Sequence, residues 1–337
     1  MKVLLTGLGS IGQRHARNLR ALLRDDVELS AYRVRRTSPV INPDLTANPS
    51  GDVAEAYGIR PFDDLEAALA EGPDAVFVTN PSSFHIPVAL AAARAGCHLF
   101  VEKPLSADLE GVDELADLVE SKHLVCLVGY QLRFHPAFRR LRDLLAEEAL
   151  GPLQVARIDM GEYLPAMHPY EDYRDLCYSR RDQGGGVILT QIHDLDMAYA
   201  LFGLPRRVFA LGGKRSSLEI DVEDTVSMLL DCDSVPVHVG QDFVRRPCVR
   251  RYEVIGERAT AVWDHRLGTL AIEGRKGSEA LVGQHDRNEL FLDELRHFLA
   301  CVEGRETPVV GVREGAASLR IALAAKRSLE TGQVVVP

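Results

Sequence analysis

The sequence predicts an α/β protein. A doubly wound parallel sheet occupies roughly the first 128 residues, and an α+β region on an open, mainly antiparallel sheet follows. Three observations carry this. Short apolar strand patterns alternate with helical ones up to Val128. A glycine-rich turn joins the first strand to the first helix. From Arg206 to Ile272, strand patterns then follow one another with no helix between them.

The expected strands of the first half are Lys2–Thr6, Val27–Arg33, Ala75–Thr79, His98–Glu102 and Leu124–Val128. Each is brief and apolar throughout, as strands covered on both faces are. Between them lie expected helices at Ile11–Arg24, Asp63–Glu71, Ser83–Ala95 and Asp108–Ser121. The third is Ala-rich and stops at Gly96, a residue suited to the left-handed position after a helix. Residues Ser38–Asn48, rich in Pro and Asn, read as a surface loop. Beyond residue 129 a helix is expected at Pro136–Leu150 and a strand at Leu153–Tyr163. A polar, Tyr-containing stretch comes next, and three glycines then lead into a helix at Val187–Phe202. Further expected strands are Val208–Leu211, Thr225–Asp231, Val235–Asp242, Arg251–Ile255, Ala259–Trp263 and Thr269–Ile272. Two helices, Arg287–Val302 and Val312–Thr331, complete the pattern. The division is therefore 1–128 and 129–337.

Composition narrows the function classes. The 337 residues are 46% hydrophobic and 26% charged, which is globular rather than disordered. Lys and Arg number 39 against 49 Asp and Glu, a net charge of −10, and the first 128 residues alone carry 12 basic and 18 acidic side chains. Neither half has the basic excess that phosphate neutralisation demands, so no nucleic-acid partner is expected. No apolar run nears the ~20 residues of a membrane span, and Val3-Leu4-Leu5 is too short for a signal peptide, so a cytoplasmic protein is expected. Six cysteines without close spacing read as reduced, buried thiols, and neither they nor the histidines are spaced to hold a metal.

Gly7-Leu8-Gly9-Ser10-Ile11-Gly12 follows the first strand and opens a helix. In that context G-x-G-x-x-G is a dinucleotide fingerprint. Gly7 permits the tight turn, Gly9 lets backbone reach a pyrophosphate, and Gly12 lets helix and strand approach closely. Ser10 and Ile11 lie at the helix N-terminus, whose free N–H groups attract an anion. The end of the second strand discriminates between coenzymes. It carries no acid for a ribose 2′-hydroxyl, but it carries Arg33, Arg35 and Arg36, which suit a 2′-phosphate. NADP is therefore favoured over NAD; the alternative is that these arginines form a solvated loop or stack on the adenine.

Four motifs, in order, resemble the glucose–fructose oxidoreductase / inositol dehydrogenase / MocA family. They are Thr79-Asn80-Pro81-Ser82-Ser83-Phe84-His85; Gly96-Cys97-His98-Leu99-Phe100-Val101-Glu102-Lys103-Pro104-Leu105; Gly129-Tyr130-Gln131-Leu132-Arg133-Phe134-His135-Pro136; and Gly184-Gly185-Gly186 followed by His193-Asp194-Leu195-Asp196. The resemblance spans nearly the whole chain. It implies a Rossmann domain and an α/β domain with an open sheet, assembly as a homodimer or homotetramer, and reversible NAD(P)-dependent oxidation of a hydroxyl on a sugar, sugar phosphate, nucleotide sugar or cyclitol. It places Thr79, Asn80, Pro81, His85, Glu102, Lys103 and Gln131 at the coenzyme and suggests a cis bond before Pro104.

Removing a hydride from a secondary alcohol also requires removing a proton. Lys103 stands just past the carboxyl end of a parallel strand and matches the lysine of the family's E-K-P motif; its ammonium would polarise the substrate oxygen. His193 matches the family's histidine. The proton acceptor is either Lys103 or His193. Asp196, three residues on, shares the helical face of His193 and would orient it or hold a substrate hydroxyl. Arg133, Tyr163, Tyr173 and Thr190 complete the expected substrate contacts. Thr190 stands where many relatives carry an aspartate, and Asp194 points elsewhere on the helix. A scaffold-sharing enzyme that retains NAD without net redox change, and a non-catalytic dinucleotide sensor, are the competing readings; joint possession of Lys103 and His193 argues against the sensor.

Overall fold

A computed structural model describes residues 1–33, 39–42, 44–48, 51–233, 235–274, 277–282 (backbone only) and 286–337. Two compact units emerge. The first comprises Met1–Tyr130, His168–Glu171 and Phe291–Ala316; the second comprises Gln131–Met167, Asp172–Leu290 and Ala317–Pro337.

The first unit is built on six parallel strands: β1 (Lys2–Leu5), β2 (Glu28–Tyr32), β3 (Ile59–Phe62), β4 (Ala75–Val78), β5 (His98–Glu102) and β6 (Cys126–Gly129). Their spatial order is β3-β2-β1-β4-β5-β6. The order reverses between β1 and β4, and ligands of open α/β sheets bind at the carboxyl edge of such a switch point. Helices α1 (Ser10–Leu23), α2 (Val53–Tyr57), α3 (Leu65–Ala70), α4 (His85–Arg94) and α5 (Val112–Ser121) link the strands. β3 and α2 have no counterpart in the sequence reading. β3 is an edge strand, and its Arg60-Pro61 pair is exposed, so it lacks the apolar run of the buried strands.

The core of this unit includes Val3, Leu5, Phe77 and Phe100, together with Leu295 and Phe298 from much later in the chain. Phe77 and Phe100 stack at 4.8 Å, and Phe298 meets both edge-on at 5.4 and 5.6 Å. Each such pair adds about 0.5–1.5 kcal/mol beyond area burial. The segment Phe291–Ala316 is thus part of the first compact unit, although a cut near residue 128 leaves it in the second half. A linear reading has no access to that return.

The second unit holds eight strands: β7 (Leu153–Tyr163), β8 (Arg207–Gly213), β9 (Thr225–Asp231), β10 (Pro236–Asp242), β11 (Val244–Gly256), β12 (Ala259–Asp264), β13 (Thr269–Gly274) and β14 (Gly277–Val282). The order is β8-β9-β10-β7-β11-β12-β13-β14, antiparallel except where β7 meets β10. Tyr252 and Trp263, both fully buried, stack at 4.7 Å across β11 and β12. Helix α6 (Pro136–Ala146) starts at His135, whose Nδ1 accepts from the Ala137 amide.

The helix expected over Val187–Phe202 is two helices, α7 (Val187–Thr190) and α8 (His193–Phe202). The break is at Gln191. Its side-chain amide donates to the Asp242 carbonyl at 3.0 Å, and its own carbonyl accepts from the Gln241 side chain at 2.7 Å. Those two bonds tie the junction of the two helices to β10, while the Gln191 carbonyl also accepts from the Asp194 amide at 3.1 Å. Two long helices, α9 (Arg287–Val302) and α10 (Val312–Thr331), match their expected limits.

All six cysteines are free thiols. Four are buried, with burial pushing Cys126 up to about 12, but Cys177 is half-exposed and Cys248, on β11, is exposed. The expectation of uniform burial fails at Cys248, because β11 leaves its ladder there. Among the described residues, no helix is long and apolar enough to cross a membrane.

Candidate active site

In the first unit, β1 ends at Leu5 and α1 begins at Ser10, so the glycine turn sits at the carboxyl edge of the sheet. Gly7 and Gly12 are fixed by sterics. A Cβ on Gly7 would stand 2.7 Å from the Thr79 carbonyl oxygen, and one on Gly12 would stand 2.0 Å from that of Gly7. Gly9 differs: nothing lies within 4 Å of where its Cβ would be. It is exposed and caps α1 without a side-chain bond, and the first turn holds no acid. By contrast, α2 and α3 are capped by the carboxylates of Asp52 and Asp64. A 14-residue helix thus presents an uncapped N-terminus, with Ser10 and Ile11 in its half-buried first turn, beneath an open space with no Cβ in it. An anionic diphosphate fits this arrangement.

The turn after β4 is tied to that loop. The Thr79 hydroxyl donates to the Gly7 carbonyl at 2.8 Å, and the Thr6 hydroxyl lies 3.1 Å from Asn80 Oδ1. Pro81 starts the following turn, the Phe84 amide donating to its carbonyl. His85 is buried, with Nδ1 2.8 Å from the Pro104 carbonyl and Nε2 2.8 Å from that of Asn80. Burial draws its pKa below the ordinary histidine value, against the opposing pull of those two carbonyls. His85 therefore staples the β4 and β5 turns together, and both ring nitrogens are engaged by backbone rather than left for coenzyme. The Lys103–Pro104 bond is cis, as the motif implies.

Glu102 joins the two ends of this half-site. One carboxylate oxygen meets His15 Nε2 on α1 at 2.7 Å, and the other accepts from the Lys103 amide at 3.2 Å. The His15 ring lies against Phe77, Phe100 and Phe291, fully buried. Glu294, one turn beyond Phe291 on α9, is also buried, and neither of its carboxyl oxygens has a hydrogen-bond partner. Burial, reinforced by the Glu102 charge, holds its pKa well above the ordinary range. Nothing in the local sequence flags His15 or Glu294; both are recognisable only once α1 and α9 meet the same core.

At the end of β2, the Arg33 guanidinium lies 3.6 Å from Asp52 and is largely buried. One of the three arginines expected at a 2′-phosphate is thus already beside a carboxylate. Arg35 and Arg36 fall outside the described residues.

In the second unit, His193 is the first residue of α8 and is buried. Its position follows from the Gln191 bonds to β10. Thr190, also buried, ends α7, and Gln131 opens the short turn that carries Arg133. The two Asp196 oxygens accept from Arg133 Nε at 2.6 Å and Nη2 at 2.8 Å, and the Ser318 hydroxyl adds a third bond at 2.9 Å. Asp196, on α8, and Arg133 thus form one bidentate ion pair. Asp194, fully buried, takes two bonds from Arg250 at 3.1 and 3.2 Å and one from the Tyr252 hydroxyl, so it does point away as expected. The Tyr173 hydroxyl accepts from the Glu219 amide at 3.2 Å, and Tyr163 carries the Arg246 guanidinium on its ring. Glu223 is an unforeseen member. It fills the space a Cβ on Gly186 would need and accepts from the Ile188 amide, which accounts for the last glycine of the triplet, where φ is +109°.

These features can be set beside known proteins. Residues 1–130 match the family model described as an oxidoreductase family with NAD-binding Rossmann fold, and residues 138–262 match the GFO/IDH/MocA C-terminal domain. A myo-inositol 2-dehydrogenase of Thermotoga maritima is 30% identical over 98% of this chain and 96% of its own length. The chain belongs to the Gfo/Idh/MocA oxidoreductase family. A UDP-N-acetylglucosamine 3-dehydrogenase of Acidithiobacillus ferrooxidans is 27% identical over 98% of this chain and 99% of its own. Among solved structures, a probable dehydrogenase from Thermotoga maritima superposes with a TM-score of 0.77 at 25% identity, covering 100% of this chain and 99% of that one. The glycine turn lies within the residues that match the NAD-binding Rossmann model.

Two outcomes follow from the geometry. Gly9→Ala should fold with unchanged melting temperature yet weaken nucleotide binding about tenfold or more, whereas Gly12→Ala should lower the melting temperature itself; calorimetry and thermal melts separate the two. Glu294→Gln should stabilise the chain increasingly as pH rises. The native carboxyl keeps its proton above pH 4.5 while the unfolded one releases it, so wild-type stability falls by up to about 1.4 kcal/mol per pH unit above that point, and a Gln escapes this. Melts at pH 5 and pH 8 should show the larger gain at pH 8.

Proposed function

We propose that this oxidoreductase oxidises a secondary hydroxyl of a sugar, sugar derivative or cyclitol, with NADP as the preferred hydride acceptor and with Lys103 and His193 handling the proton. The observation that carries the reading is the uncapped, acid-free start of α1 over the open space at Gly9, on a sheet whose next-but-one strand after the switch point, β5, ends one residue before Lys103. Inositol and nucleotide-sugar dehydrogenases among the relatives support the substrate class.

When bound, the pyridine nucleotide supplies the hydride acceptor. Gly7, Gly9 and Gly12, with the amides of Ser10 and Ile11, hold its diphosphate. Thr79, Asn80 and Pro81 line the neighbouring turn. Glu102 fixes the Lys103 backbone from behind and keeps α1 in register with β5 through His15. The Lys103 ammonium polarises the substrate oxygen and stabilises alkoxide character as the carbon loses hydride. His193, presented at the start of α8, is the second proton-handling group. Thr190 offers a hydroxyl, so hydrogen bonding there is neutral. NADP is preferred because β2 itself ends in no acid to receive a 2′-hydroxyl, the Asp52 beside Arg33 coming from the start of α2.

Lys103→Ala should keep nucleotide affinity within a few fold and lose turnover by about 10²-fold or more. Unchanged turnover would remove the lysine from the mechanism. Replacing Arg33, Arg35 and Arg36 together by alanine should weaken NADP more than NAD in direct titration; equal loss would contradict the 2′-phosphate assignment.

A further inference from the structure

β11 opens with Val244-Arg245-Arg246-Pro247-Cys248-Val249-Arg250-Arg251, four arginines in eight residues. Three of them meet carboxylates. Arg245 bonds Asp159 at 2.5 Å and Asp242 at 2.8 Å, Arg250 bonds Asp194, and Arg251 lies 3.7 Å from Glu253. Arg246 is different. Among the described residues, it has no carboxylate within 4 Å and donates no hydrogen bond. Its guanidinium carbon instead sits 3.2 Å from the centroid of the Tyr163 ring, and the residue is exposed. Stacking uses a face of the guanidinium plane. The N–H donors lie in that plane, so they are held in place without being consumed.

The backbone singles out the same residue. Val244 pairs with Tyr163 and Val249 with Gly161, so five steps along β11 match two along β7. Residues 245–248 leave the ladder as a bulge, a device that re-aims side chains beside functional sites. The bulge begins at the end of the sheet that positions His193. Gln191, two residues before His193, is bonded to the Asp242 carbonyl, and Asp242 in turn accepts from the Val244 amide and holds Arg245. The Glu162 charge acts on Cys248 and Arg250 in the same stretch.

We propose that Arg246, stacked on Tyr163, is a specificity residue for an anionic group on the substrate, a carboxylate or a phosphate carried by the polyhydroxyl ring. The inference rests on the oxidation proposed above and names the substrate class for that site. An aromatic-backed guanidinium offers a planar fork that matches either oxyanion with two parallel bonds, and a neutral hydroxyl cannot accept both as strongly.

The test compares a neutral parent with its anions on the full-length chain loaded with NADP: glucose, glucuronate and glucose 6-phosphate, then myo-inositol with its monophosphate. Nucleotide reduction gives kcat/KM, and calorimetry gives Kd. At least one anion should exceed its neutral parent by about ten- to hundredfold. The ratio should collapse towards one in Arg246→Gln and recover only partly in Arg246→Lys, where a point charge replaces the fork. Arg251→Gln, on the same strand but already paired with Glu253, should keep the ratio. The uronate and phosphate arms decide which oxyanion is preferred. Neutral parents that serve as well as every anion, or a ratio unchanged in Arg246→Gln, overturn the proposal while leaving the dehydrogenase reading intact. Anion binding that Arg246→Gln abolishes, with no nucleotide reduced by any compound, supports the anion subsite and overturns the proposed oxidation. Neither binding nor reduction overturns both.

Discussion

The carboxylate of Glu102 is the constraint on which the nucleotide half of this molecule depends. It is a nearly buried acid at the end of β5, held by the His15 ring on one oxygen and by the Lys103 amide on the other. Through the first bond it fixes the helix that follows the glycine turn; through the second it fixes the backbone of the residue that follows the strand. Glu294, on α9 nearly two hundred residues downstream, is buried in the same unit, and burial together with the Glu102 charge holds its carboxyl well above the ordinary range.

The second unit uses its acids in the same way. Asp196 braces Arg133 and Ser318, Asp194 braces Arg250 and Tyr252, and Glu223 fills the floor of the triple glycine. Each is a strut whose oxygens face inward. Burying a carboxylate without such partners costs several kcal/mol, and bidentate arginine pairs offset that cost best. These three acids are thus engaged within the protein, and Thr190 beside them is neutral.

Much of this was legible in the sequence, and for identifiable reasons. The parallel strands announced themselves because both faces are covered, and the fingerprint glycines because close packing admits no side chain at Gly7 or Gly12. β3 did not, since an edge strand with Arg60 and Pro61 reads as a turn. The break at Gln191 was hidden for a different reason. Its cause is a pair of amide bonds to β10 about fifty residues away, and helical periodicity carries no trace of them. Asp196 shows the limit of motif reasoning: its position matches the family pattern, but its neighbours, Arg133 and Ser318, determine what its oxygens hold. His85, correctly placed in the motif, proved to be a staple between two turns. The return of Phe291–Ala316 to the first unit is a property of three-dimensional packing alone.

The most direct measurement of the central claim is a crystal structure of the chain with NADPH. The account predicts the diphosphate against the amides at the start of α1, over Gly9, and the nicotinamide at the carboxyl edge of β4 and β5 within reach of Lys103. Nucleotide seated instead at the opposite edge of the sheet, in the cleft bordered by Lys2, Glu28 and Arg60, would contradict it.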